Sequence, residues 1–217
     1  AIYFVAQITN IEFLDSLNFL SRAETLLPLG ALVAAAVVGF VDDIYDVKST
    51  NGGGGLKVWQ RLIIYTIIAL VGAMWFYFKL DWTTIHVPFI GNFDIGLWYV
   101  PIFIFIIVAT AFSTNEADGL DGLAGGILLV GFVAYGAIAL VQGRPDLAAF
   151  CGVIAGSLFA FLWFNIPPAR FFMGDTGAMS LGITLGIVAM LTNYALLLPI
   201  ILFPLVIESG SVIIQIC

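Results

Sequence analysis

The chain has 217 residues, 62% of them hydrophobic and 10% charged, with a net charge of −7 and a mean hydropathy of +1.12. A soluble domain carries about 25% charged residues, so a water-coated globule is excluded and the lipid bilayer is the expected surrounding. Cys151 and Cys217 stand far apart in no metal or redox motif, and His86 is the sole histidine, which argues against a zinc site and against histidine-based catalysis.

A membrane-crossing helix needs about 20 apolar residues. Residues 1–20 are apolar but broken by Asn10, Glu12 and Asp15, and read as the end of an earlier span followed by an interfacial helix. Seven spans follow, at 26–41, 58–79, 97–113, 123–141, 147–165, 177–192 and 196–216. The expected fold class is all-α: a polytopic transmembrane helix bundle of about seven spans, forming a single transmembrane domain over 1–217. The chain begins at Ala1 without a basic leader region, and is read as the interior part of a longer membrane protein. Trp82, His86, Trp98 and Tyr99, around the linker after the second span, read as an interfacial belt.

Alternation of spans sorts the linkers by side. One side carries Lys48, Lys57, Arg61 and Arg170, the other Arg22, Lys79 and Arg144. The positive-inside rule then makes the first side cytoplasmic. Three acidic clusters fall on that same side. FVDDIYDVK holds Asp42, Asp43 and Asp46; TNEADGLDGLAGG holds Asn115, Glu116, Asp118 and Asp121; FNIPPARFFMGDTGAMSLG holds Asn165, Arg170 and Asp175. Carboxylates and amides are hard oxygen ligands that suit Mg²⁺, which keeps part of its shell for water and phosphate oxygens. Gly119, Gly122, Gly174 and Gly177 beside the acids allow tight turns and close approach of a ligand. Helix starts after Asp121 and Asp175 are expected to aim free N–H groups at phosphate.

Duller readings stand beside these. Asp42 and Asp43 fit a solvated helix end, and Asp118, Asp121 or Asp175 a helix cap. Gly52 to Gly55 lacks the lysine–serine pair of a phosphate loop. Glu208, inside the last span, is either functional or paired with a neighbouring helix.

The blocks GFVDD at 39–43, DGLDGLA at 118–124 and FMGDTGAMSLG at 172–182 resemble the signatures of the polyprenyl-phosphate N-acetylhexosamine-1-phosphate transferases, in order and spacing over roughly 26–217. Within that superfamily, FLWFNIPPARFFMGDTG and VIESGSVIIQ are most similar to the phospho-N-acetylmuramoyl-pentapeptide transferase branch. The resemblance implies a Mg²⁺-dependent transfer of a sugar phosphate from a UDP-N-acetylhexosamine donor to polyprenyl (undecaprenyl) phosphate, releasing UMP. It implies a multi-pass protein of the inner (plasma) membrane with its site on the cytoplasmic face, in cell-wall lipid-intermediate synthesis. A homodimer is compatible with it, and no nucleic-acid partner is expected. Asp42 and Asp43 match the aspartate pair assigned to the lipid phosphate, and Asp175 the Mg²⁺ ligand. Asn115, Asp118 and Asp121 match the nucleotide-sugar pocket, with Asn165 and Phe172 flanking the uracil. Direct attack is preferred to a covalent aspartyl intermediate.

Two positions depart from the pattern: Asp46 stands where the family often has lysine, leaning toward the related N-acetylglucosamine-1-phosphate transferases, and Phe112 stands where asparagine is expected. Lys48 approximates a phosphate-facing lysine out of register. The alternative from another class is a secondary transporter, which calls for acids through the spans and repeated halves.

Overall fold

The computed structural model describes residues 23–48, 56–88 and 90–216; the segment 1–20 and the glycine run lie outside the described residues. Among the described residues, six helices are long and apolar enough to cross a membrane: α1 (Ala23–Lys48), α2 (Val58–Lys79), α3 (Tyr99–Ala117), α4 (Leu123–Val141), α5 (Pro145–Asn165) and α6 (Gly174–Leu191). The expected all-α transmembrane bundle is what the chain forms. The seventh expected span differs. It breaks into a short α7 (Leu198–Ile201) and α8 (Phe203–Ile216), with the two halves of this segment bent by 79°. Pro199 and Pro204 accompany the break, because each lacks the N–H that a continuous ladder needs.

α6 is the axle of the bundle. Seventy-two per cent of its apolar window is buried, against 28–44% for the other five, and its hydropathy is the lowest of the six. Lipid-facing helices must be apolar, whereas a helix wrapped by protein need only satisfy its polar groups internally. Ser180 and Thr184 do so by donating to backbone carbonyls of Thr176 and Ser180 one turn back. The axle packs on α1, α3 and α4, while α4 pairs with α5 and α2 with α3. Where α1 crosses α6, Gly39 lies against backbone: a Cβ there would stand 2.6 Å from Thr176 Cα. Any larger residue would separate the two helices, so close contact here rests on glycine.

The linker after α2 forms a two-stranded antiparallel hairpin, β1 (Thr84–Val87) with β2 (Gly91–Asp94), paired from Thr84↔Asp94 to Val87↔Gly91. Four-residue strands in a linker leave too short an alternation to register as a pattern. Tyr99, expected in an interfacial belt, is instead fully buried against Phe76 and Phe103, whereas Trp98 is exposed.

Candidate active site at the head of the central helix

α1 continues past residue 41 to Lys48, so the first acidic cluster is helical. Asp42 and Asp46, four apart, share a face, and Asp43 points about 100° away. That geometry divides the cluster's work between two neighbours.

Asp43 turns to α6. Its carboxylate accepts the backbone N–H groups of Asp175 at 3.2 Å and Thr176 at 3.1 Å, and the Thr176 hydroxyl as well. Asp118, the residue capping the end of α3, does the same for the preceding pair: Met173 N–H at 3.4 Å and Gly174 N–H at 2.8 Å. A helix leaves its first four N–H groups without internal partners. Here all four are taken by two carboxylates from two other helices, and the negative charge also complements the helix dipole. The expectation that these donors would face phosphate is therefore corrected: Asp43 and Asp118 already occupy them. Asp118 caps the start of a distant helix, not the next span. Burial pushes its carboxyl above the usual carboxylate range; the two backbone N–H groups oppose the shift, and Asp175 and Asp43 add to it. Gly174 makes the entry possible, since its φ of +67° belongs to the left-handed region.

Asp42 turns to α2. It is 1% exposed; one oxygen accepts the Leu56 N–H and the other lies 2.6 Å from Nε of Arg61. The same guanidinium reaches Asp175 at 2.8 Å and Asp46 at 3.8 Å. Asp175 receives Asn115 Nδ2 on its other oxygen. The ligand oxygens of Asp42, Asp46 and Asp175 all lie within 4.8 Å of one another. Three hard oxygen donors at that separation, in a net-negative setting, fit a divalent cation such as Mg²⁺.

The remaining candidates line the adjoining loop, 166–173. Asn165 is buried and its amide is engaged at both ends: Oδ1 accepts the Gly122 N–H at 3.0 Å and Nδ2 donates to the Phe171 carbonyl at 2.9 Å. Asp121 accepts the Ala169 N–H at 3.0 Å. Phe171 packs on Phe161 and Phe164, which leaves the neighbouring Phe172 half exposed on the loop. Lys48 is exposed at the end of α1, and Phe112 packs edge-on against Tyr65. Thus Asp42, Asp43, Asn115, Asp118 and Asp175 meet at one point, and Asp121, Asn165 and Phe172 form the wall beside it. Arg61 was missed as a site residue and counted only as a marker of sidedness. An arginine in the first turn of an apolar span, on the side where the acids gather, is the signal that could have found it.

Glycosyl transferase family 4 matches residues 25–193, a stretch holding every residue just described. The chain belongs to that family. Among curated relatives of this family 4 chain, it is 40% identical over 206 residues to the phospho-N-acetylmuramoyl-pentapeptide-transferase of Chloroflexus aggregans, covering 91% of this chain and 56% of that protein. Proteins of the same name in Desulfosudis oleivorans and Clostridium perfringens are 37% and 38% identical, over 87% and 89% of this chain and 57% and 59% of theirs. This chain therefore spans somewhat more than half the length of these relatives. As a family 4 member with six long apolar helices, it is a multi-pass membrane protein.

Proposed function

We propose that this chain carries the metal-binding core of an enzyme that moves phospho-N-acetylmuramoyl-pentapeptide from its UDP carrier to polyprenyl phosphate, releasing UMP. The observation carrying this reading is the meeting of Asp42, Asp46 and Asp175 within 4.8 Å at the head of α6, in a family 4 chain. Asp42, Asp46 and Asp175 would hold Mg²⁺, which when bound supplies positive charge against the donor diphosphate. Asn115 orients the Asp175 carboxylate through its amide. Asp43 and Asp118 hold the helix start, so that Asp175 keeps its place as substrates come and go. The resemblance assigns Asp42 and Asp43 to the lipid phosphate; with Asp42 in the carboxylate set and Asp43 on the start of α6, they would serve it by positioning that set and the helix that carries Asp175. Asp121 and Phe172, with Asn165 fixing the loop behind them, receive the nucleotide. Catalysis of this kind is mostly positioning and charge neutralisation, and these residues are built for both.

The transporter alternative calls for acids spread through the spans, whereas these converge at one end. The test is a full-length protein in detergent, given undecaprenyl phosphate and radiolabelled donors. UDP-MurNAc-pentapeptide is expected to give a lipid-linked product and UMP. Product only from UDP-N-acetylglucosamine, the reading Asp46 favours, would reassign the sugar, and no product from either would overturn the proposal. For the cytoplasmic face, cysteines at Lys48, Gly119 and Arg170 are expected to label from inside, and those at Lys79 and Phe93 from outside.

A further inference from the structure

We propose that Arg61 is a built-in counter-ion that holds the divalent-cation position of this site and must release it before the ion can bind. The inference rests on the metal reading above. Its ground is an identity of contacts: the guanidinium touches Asp42 at 2.6 Å, Asp175 at 2.8 Å and Asp46 at 3.8 Å, and these three carboxylates are the set able to share one ion.

Without a cation, Asp42, Asp46 and Asp175 would stand as like charges converging around a buried group. Asp43 and Asp118 crowd the same helix start with two more. Among the described residues, Arg61 is the one basic side chain paired with this cluster, and it joins α1, α2 and α6 by contacting acids on two of them from the third. The planar fork of arginine can address two carboxylates at once, which a lysine ammonium cannot do as well.

That bridge conflicts with a metal. Mg²⁺ binds oxygen at about 2.0–2.1 Å, and a guanidinium on the same oxygens would lie within a few ångströms of it. Asp42 is 1% and Asp175 11% exposed, so around these two carboxylates little water intervenes to screen the two cations, while Asp46 stands at the solvent edge. One must leave. Arg61 is 20% exposed, sits in the first turn of α2 and has a long flexible stem, so it is the partner able to swing out. Metal binding is then an exchange: the ion replaces an internal charge instead of filling a vacant cage. The affinity of the site is set lower than its three carboxylates alone would give, and the site stays assembled between turnovers.

The test uses the full-length protein in detergent, with Mn²⁺ as the probe and paramagnetic resonance reporting free ion. Arg61→Gln is expected to bind Mn²⁺ about tenfold or more tightly than the unaltered protein. It is also expected to melt lower in chelator, with the deficit closing at saturating Mg²⁺. Arg61→Lys, keeping the charge but losing the fork, should fall between the two, and carries the test if the glutamine variant cannot be purified. Equal or weaker Mn²⁺ binding in Arg61→Gln, or a melting deficit that persists in Mg²⁺, would overturn the exchange and leave Arg61 a plain structural bridge. Failure of both the unaltered protein and the variants to bind Mn²⁺ would remove the metal reading itself, and this inference with it.

Discussion

The two ends of α6 are held by opposite charges for one physical reason and with two different results. At the N-terminus, Asp43 and Asp118 take the four free N–H groups. At the C-terminus, Gln142 donates to the Thr192 carbonyl at 2.7 Å and Arg144 donates to Leu191 while lying 5.7 Å from the Trp82 ring centroid. The hairpin closes over this end, with His86 N–H on Asn193 and the His86 ring against Tyr194. Anions at the start and a cation at the finish both suit the helix dipole. At the C-terminal end the cation and the amide both reach carbonyls of the helix. The N-terminal end goes on to gather Asp42, Asp46 and Asp175 around a single arginine, three negative charges against one. Charge left over after the structural needs are met is what distinguishes a site from a clasp.

The comparison breaks first at Asp175. Asp175→Asn is expected to cut lipid-product formation by at least about a hundredfold, as chelation of divalent ions should too. Near-normal turnover in this variant would make the leftover charge incidental. Next come Asp43→Asn and Asp118→Asn. An amide offers one acceptor where the carboxylate offers two, so each should lose about 1–2 kcal/mol of stability in a denaturation assay. Turnover should fall along with it. The pair combined should be non-additive, because both hold one helix start; strict additivity would show two unrelated roles. At the opposite end, Arg144→Ala should cost about 1–3 kcal/mol while Mn²⁺ affinity and turnover per folded molecule stay as they were. A specific loss of turnover there would erase the distinction between the ends. The smallest effect is His86→Ala, expected to lower stability by about 0.5–1.5 kcal/mol through the lost ring contact, read as a small shift in melting temperature.

The spans were legible because hydrocarbon thickness imposes a length that composition must obey, and the convergence of three clusters followed from counting sides. What the sequence concealed lies in pairings over distance. Asp43 caps a helix that begins 131 positions later, at Gly174, and no local pattern announces such a contact. Asp118 looked like a cap for the span after it because capping is usually a neighbour's work. Arg61 was hidden by its position at the mouth of an apolar segment, where basic residues commonly mark orientation. The bend after Ile201 escaped notice because hydropathy is blind to direction, and a segment folded by 79° is as apolar as a straight one.

The low hydropathy of α6 bears on how the protein is made. This span is the least apolar of the six, and its first turn needs two carboxylates that it does not carry. Yet α1, α3 and α4, its packing partners, all precede it in the chain, as do Asp43 and Asp118. When α6 leaves the ribosome its socket has already been synthesised. Order of translation thus supplies what its own sequence lacks, and a circular permutation that brought Gly174–Leu191 out first would be expected to leave its first turn uncapped until α1 and α3 followed.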